Sequence, residues 1–378
     1  MKLLLPALAL PFTVLLLLAN CSKKSPAPTN DPTDTLPNMG LKDINQRILI
    51  GTPLEISRGN DKYQSIVKAE FSTGQSLWYP AWGGWVSENV YDFKEFSANV
   101  NWMKANNISP TMHMLVGPDN YMPDWLLNGT WQKDQLDTML RQMIYSIMDT
   151  NDNKIKVDIW NVANELFDDD GTYRTNMMWR RLGWENDNSG LTGDAQINTK
   201  HPLFIRKAFT YCREKTSKKL ELRDFNIESD DPATQNYRKN KALFQLVKHM
   251  INEQIPIDAV GIQGHLSIGE TAWIFDKNML RETVKKYKSL GIEVYITELD
   301  FRSDNRSWNT TLSERQKQDY YNYIKQAIEG GVNRINFWGV QDGFDPFWLL
   351  TEHPLLWDEN LEKKPAYFGV KMALDATK

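Results

Sequence analysis

The chain has 378 residues, 41% of them hydrophobic, which is enough for a substantial core in one large domain or two ordinary ones. A net charge of −4 provides no basic face, so composition excludes a nucleic-acid partner. The two cysteines, Cys21 and Cys212, with no CxxC and no His/Cys cluster in the sequence, argue against a disulfide between them and against a structural zinc site.

Met1-Lys2 is followed by an apolar run from Leu3 to Ala19, the pattern of an export signal. Leu18-Ala19-Asn20-Cys21 resembles a bacterial lipobox, although Asn20 is not the small residue usual before the cysteine. The expectation is a signal over 1–21 with lipidation at Cys21. Ordinary cleavage or an uncleaved anchor are the alternatives. Residues 22–40, with Pro26, Pro28, Pro32 and Pro37 among polar residues, read as a disordered tether. The remainder, 41–378, reads as one folded domain. This predicts a monomeric, lipid-anchored bacterial envelope protein, periplasmic or at the cell surface, that meets the membrane only through its anchor.

Short apolar runs then alternate with amphipathic stretches. Strands are predicted at Arg47–Ile56, Gln64–Phe71, Ile108–Leu115, Lys156–Val162, Leu220–Phe225, Ala259–Leu266, Glu293–Leu299 and Arg334–Gly339. Helices are predicted at Phe93–Asn106, Gln135–Asp149, Leu203–Lys215, Lys241–Glu253, Asn278–Leu290 and Leu312–Gly330, with Cys212 as buried filler in one of them. Alternation at these lengths implies βαβ units and an α/β fold, a (β/α)8 TIM barrel. A doubly wound open sheet is the alternative, but no Gly-rich dinucleotide loop follows the first strand.

A barrel places its chemistry at the C-terminal ends of its strands. The fourth predicted strand runs into Asn164-Glu165 and the seventh into Glu298-Leu299-Asp300. A lone strand-end Glu is usually a solvated loop residue. Two across one barrel mouth form the pair that glycosidic cleavage needs, one to protonate the leaving oxygen and one to attack or to activate water. His265 enters the same mouth, where Asp300 could hold it against Glu298. Trp338 suits either a floor under a sugar ring or a barrel-lining aromatic. The 14 tryptophans are mostly core by expectation, although a cluster near a cleft stacks sugars. Asp168-Asp169-Asp170 reads as a solvated turn rather than a calcium site, and no metal or organic cofactor is implied.

At these residues the chain resembles glycoside hydrolase family 10, in clan A, whose best-known members are endo-β-1,4-xylanases. Trp160–Glu165 resembles the family run Trp-Asp-Val-Val-Asn-Glu, with Asn161 for Asp. Gly261–His265 resembles Gly-(aliphatic)-Gln-Ser-His, with Gly264 for Ser, and Thr297–Asp300 matches Thr-Glu-Leu-Asp in full. Trp338–Asp342, Asp224-Phe225-Asn226 (with Arg223 for a family Asn) and the closing Pro354–Asp358 and Lys364–Tyr367 complete a likeness spanning Leu41 to Lys378.

The resemblance implies a retaining endo-glycosidase acting on xylan or a related plant or algal polysaccharide. Glu165 would be the acid/base and Glu298 the nucleophile. Asn164 would bind a sugar 2-hydroxyl, Asn226 and Gln263 would line the cleft beside Glu165, and His265 and Asp300 would hold Glu298. Trp338 and His113 complete the set of binding or supporting residues. Burial and the charge of Glu298 should raise the pKa of Glu165, and donors such as His265 should keep Glu298 ionised.

Sugar-contact motifs depart from the family. After Thr111-Met112-His113-Met114-Leu115-Val116 the chain reads Gly117-Pro118-Asp119-Asn120 instead of a Trp-His-Ser-Gln run. Leu77–Trp85, an aromatic cluster, replaces the Asn-x-Met-Lys-Trp that recognises the next sugar. A second family Trp is displaced to Trp348, and Glu185 to His201 is extra length that would wall one end of the cleft. Three readings follow: a xylanase-like enzyme, a clan A glycosidase of another specificity, and a non-catalytic glycan-binding lipoprotein. Retention of both glutamates with Asn164, His265 and Asp300 disfavours the last.

Overall fold

The computed structural model describes residues 39–57, 59–192, 196–234, 237–269, 277–343 and 349–378. The predicted signal, nearly all of the predicted tether, and Trp348 lie outside the described residues. Among the described residues no helix is long and apolar enough to cross a membrane.

Eight parallel strands form the wall: β1 (Leu49–Pro53), β2 (Thr73–Leu77), β3 (Ser109–His113), β4 (Ile159–Asn164), β5 (Lys219–Asp224), β6 (Ala259–Ile262), β7 (Glu293–Arg302) and β8 (Arg334–Phe337). Each pairs with its sequence neighbours, and β8 returns to β1 with Leu49 opposite Arg334, so the sheet closes as the predicted (β/α)8 barrel. The helices between and after them are α1 (Asp61–Glu70), α2 (Lys94–Ala105), α3 (Lys133–Asp149), α4 (Leu203–Lys215), α5 (Tyr237–Asn252), α6 (Met279–Lys288), α7 (Thr310–Gly330) and α8 (Pro365–Ala376). Their inner faces, including Val67, Val100, Leu140, Phe209, Leu246, Ile324 and Val370, are buried against the outside of the barrel. With helices outside and side chains filling the lumen, β4 is buried at every position.

One predicted strand is wrong. Gln64–Phe71 forms most of α1 and the residue that caps it. Asn60 caps this helix by accepting from the Tyr63 N–H at 2.9 Å, and the buried residues Tyr63, Val67 and Glu70 recur at helical spacing. The actual second strand is Thr73–Leu77, whose Thr-Gly-Gln-Ser sequence lacks an apolar run although four of its five residues are buried. These polar groups are satisfied inside the protein. Thr73 Oγ1 donates to the Ser109 carbonyl at 2.8 Å, Gln75 Nε2 to that of Thr297 at 2.6 Å, and Ser76 Oγ to that of Phe96 at 3.1 Å.

Two loops on the C-terminal face carry short antiparallel hairpins. Trp85–Ser87 pairs with Val90–Tyr91 after β2, and Trp184–Asn186 pairs with Lys200–Pro202 after β4. The second hairpin is the extra length noted in the sequence. β6 stops at Ile262, and Gly264, at φ +83, turns the chain so that His265–Ser267 runs on beside the end of β7.

Candidate active site

Glu165 follows the last residue of β4 at φ 53, an uncommon conformation for a residue with a Cβ, fixed by its N–H donating to the Arg223 carbonyl at 2.9 Å. Glu298 lies within β7 and is 3% exposed. His265 bridges the end of β7: its Nδ1 is 2.6 Å from Asp300 Oδ2 and its Nε2 is 3.1 Å from Glu298 Oε2. Both ring nitrogens donate in imidazolium, the form that satisfies two carboxylates at once. Burial opposes that charge, but Asp300 and Glu298 overcome it and raise the His265 pKa to about 10.

The other oxygen of Glu298 belongs to an arginine that was not among the predicted site residues. Arg223 Nη1 donates to Glu298 Oε1 at 2.9 Å and to Gln75 Oε1 at 2.7 Å, while its Nε donates to Glu221 Oε1 at 2.6 Å. Glu221 and Arg223 are alternate residues of β5, and both point into the lumen. Gly261 on β6 makes the space: a Cβ there would meet Glu221 Oε1 at 2.6 Å and Arg223 Cγ at 3.1 Å. Burial disfavours the Glu298 anion. The His265 hydrogen bond and the charges of His113, Arg223 and His265 outweigh burial and take its pKa down to about 2, His113 contributing only in the acid range where it is protonated.

His113 ends β3 with Nδ1 2.9 Å from Asn161 Oδ1, 3.1 Å from Arg223 Nη1 and 3.9 Å from Glu298 Oε1. Desolvation, reinforced by Arg223, lowers its pKa to about 3. His113 is therefore neutral near pH 7, and the cations that hold Glu298 are Arg223 and His265.

Glu165 has the opposite electrostatics. Burial raises its pKa above the usual carboxylate value, Asp224 adds to this, and Glu298 contributes less than Asp224; the Gln263 hydrogen bond and Arg174 pull the other way. Gln263 Nε2 reaches Glu165 Oε1 at 3.2 Å and Asn164 Oδ1 at 3.3 Å, which brings Asn164 and Gln263 together beside Glu165. Asn226 directs its amide toward Asp169 at 3.4 Å. Arg174, also missed from the sequence, lies 3.9 Å from Glu165 Oε2 and 3.7 Å from Asp168 Oδ1. The acidic run is a turn tied to Arg174, Lys239 and the Thr172 N–H.

Trp338 packs edge-on against both His113 and His265, with ring centroids 5.5 and 5.9 Å apart. It also lines, with Trp78, Tyr79, Trp82 and Tyr121, a cleft of about 940 Å³ beside the carboxylates, neither of which lines it. Tyr79 stacks on Tyr121 at 5.4 Å and touches Trp82 at 4.3 Å, with its other edge against His113 at 5.8 Å. The aromatic run that replaced the polar family motif therefore borders the carboxylate site through Tyr79, which packs on His113.

A (β/α)8 barrel that pairs a carboxyl of raised pKa with a carboxylate of lowered pKa at its C-terminal mouth is the apparatus of a glycoside hydrolase. A model of glycosyl hydrolase family 10 matches residues 44–373, and the chain belongs to that family. Endo-1,4-beta-xylanase B of Thermotoga neapolitana is 25% identical over 362 residues, covering 89% of this chain and 94% of its own. A beta-1,4-xylanase of Dictyoglomus thermophilum is 30% identical over 298 residues, covering 74% of this chain and 75% of its own. The intracellular xylanase of Thermoanaerobacterium saccharolyticum superposes with a TM-score of 0.73 at 26% identity, over 89% of this chain and 99% of that one.

Proposed function

We propose that this enzyme is a retaining endo-glycosidase that cleaves β-1,4-linked xylan or a related polysaccharide, with Glu165 as acid/base and Glu298 as nucleophile. The carrying observation is the clamp on Glu298 by Arg223 and His265. A general base works best with a pKa near the operating pH. A carboxylate whose pKa is about 2 is a poor base for water, but it remains an anion able to attack carbon and a good leaving group afterwards. In the first step a Glu298 oxygen bonds to the anomeric carbon while Glu165 gives its proton to the departing glycosidic oxygen. In the second, Glu165 takes a proton from water, the water oxygen bonds to the same carbon, and the bond to Glu298 breaks.

The names of the relatives support xylan as the backbone. The aromatic wall Tyr79–Trp82–Tyr121, standing where the polar contacts were expected, supports a substrate other than plain linear xylan, such as a decorated one. A panel of linear and substituted xylans, mixed-linkage glucans and algal xylans, with product analysis, tests this. Faster turnover of a substituted or non-xylan glycan supports the reading, whereas highest activity on unsubstituted xylan with ordinary linear products opposes it. Binding without turnover, unchanged by Glu298→Ala, would instead make the chain a glycan-binding protein. We also propose that the enzyme acts as a monomer and is exported and lipid-anchored through Cys21. Gel filtration of the soluble domain, and release of a Cys21→Ser variant from the membrane fraction, test these two points.

A further inference from the structure

Outside the cleft, three side chains capable of binding a metal converge where the extra hairpin after β4 meets α5. They are Asp187, His201 and His249, and their ligand atoms all lie within 4.8 Å of one another. Asp187 Oδ1 is 3.6 Å from His201 Nε2 and 3.6 Å from His249 Nδ1. A tetrahedral zinc with bonds of about 2.0–2.2 Å has ligand–ligand edges of roughly 3.3–3.6 Å. Two of the three edges therefore already have the required length.

The surroundings fit metal ligation better than an ordinary polar cluster. Among the described residues His201 Nε2 is buried without a hydrogen-bond partner, a state that costs free energy unless something else satisfies it. The other nitrogen of His201 is engaged by the Tyr173 hydroxyl. His249 Nε2 lies 3.1 Å from Glu185 Oε1, and Arg206 Nε holds Glu185 from behind at 2.5 Å. A carboxylate on the outer nitrogen fixes the ring and leaves the inner nitrogen's lone pair for a metal. That inner nitrogen, Nδ1, accepts a hydrogen bond from the Asn188 N–H at 3.2 Å, a bond that a metal would displace, and lies 3.6 Å from Asp187 Oδ1. Asp187 is held in place by the Ser189 N–H at 2.7 Å and by the Gln245 amide.

We propose that Asp187, His201 and His249 bind one divalent transition-metal ion, zinc by the chemistry of two imidazoles and a carboxylate, with a solvent molecule as fourth ligand. Magnesium and calcium prefer all-oxygen sets and fit less well. The ion ties the hairpin to α5. Tyr173 stacks on Phe167 at 4.5 Å and bonds His201, so the brace extends to the segment that begins at Glu165. The three residues are far apart in the chain and form no compact motif, so the group is not visible in the sequence.

The test uses the tag-free chain, stripped with a chelator, dialysed against trace zinc and assayed by elemental analysis. One zinc per chain is expected, with a melting temperature that rises on zinc addition and falls back with chelator. Cobalt in place of zinc should give the intense visible bands of a four-coordinate N/O site. His201→Gln and Asp187→Asn should abolish stoichiometric uptake, and Glu185→Gln should weaken it roughly 10- to 100-fold. Absence of retained zinc together with an unchanged melting temperature in excess zinc overturns the proposal, as does full uptake by folded His201→Gln. If the ligand variants do not fold, the cobalt spectrum of the unmodified chain decides: four-coordinate bands support the site and a purely six-coordinate aquo spectrum refutes it.

Discussion

Arg223 stands 2.9 Å from Glu298, at a position where the family pattern carries asparagine. It is wholly buried, and it shares its charge between Glu298 and Glu221. The arrangement gives the proposed nucleophile a fixed cation on one oxygen and an imidazolium on the other.

Replacing Arg223 by Asn should therefore shift the acid limb of the kcat/KM profile upward, because Glu298 loses one of the charges that hold its pKa down. The same change leaves Glu221 buried without its partner, and breaking such a pair costs about 3–5 kcal/mol of stability. Urea denaturation should show that loss, and adding Glu221→Gln should recover much of it while the shifted acid limb remains. An unmoved acid limb would mean that Arg223 does not set the charge of Glu298.

Glu165 is raised above the ordinary carboxylate value, so it must lose its proton on the alkaline side of the optimum. Glu165→Gln should lower kcat/KM on polysaccharide by about 10²–10⁴-fold and flatten that limb. Aryl glycosides with acidic phenol leaving groups need little protonation and should be spared in the first step. Equal losses on both substrate types would remove Glu165 from the acid role.

Stability should carry the signature of His265. Its pKa rises from the ordinary 6.5 to about 10 on folding. The stabilisation is thus complete below pH 6.5, weakens above it and is gone once pH passes about 10. Glu298 works at the other end, stabilising above its ordinary 4.5 and losing that contribution as pH falls through about 2. The denaturation midpoint of the unmodified chain should fall steadily between pH 7 and 10, and His265→Gln should show a shallower slope. Parallel slopes would contradict the charged His265.

Trp82 is 58% exposed at the rim of the cleft while its ring contacts Tyr79. As a sugar platform it should act on binding more than on chemistry. Removing an aromatic contact worth about 0.5–1.5 kcal/mol raises KM by roughly 2- to 12-fold. Steady-state kinetics of Trp82→Ala should show that rise with kcat nearly kept, and a purely kcat effect would assign the residue elsewhere.

The barrel was legible because seven of its strands carry apolar runs between helices of the right length. β2 was not, since Thr73, Gln75 and Ser76 are polar residues satisfied inside the protein. The carboxylates, Asn164, Gln263, His265 and Asp300 could be read from motifs at strand ends, and the structure brings them together. Burial was expected to raise Glu165 with help from Glu298, but Asp224 contributes more than Glu298. Arg223 left one trace, a charged residue alternating with Glu221 in a strand whose apolar residues are Leu220 and Leu222. Tyr79 showed only as a member of the Leu77–Trp85 aromatic cluster and Tyr121 left no trace, because their positions over the site depend on how two loops fold against each other.

The central claim is double displacement through Glu298, and the anomeric configuration of the first product tests it most directly. Proton NMR of a reaction started with concentrated enzyme should show the newly formed reducing end as the β anomer, with α appearing only as mutarotation proceeds. If α appears first, Glu298 is acting as a base toward water, and the account built on its clamped charge fails.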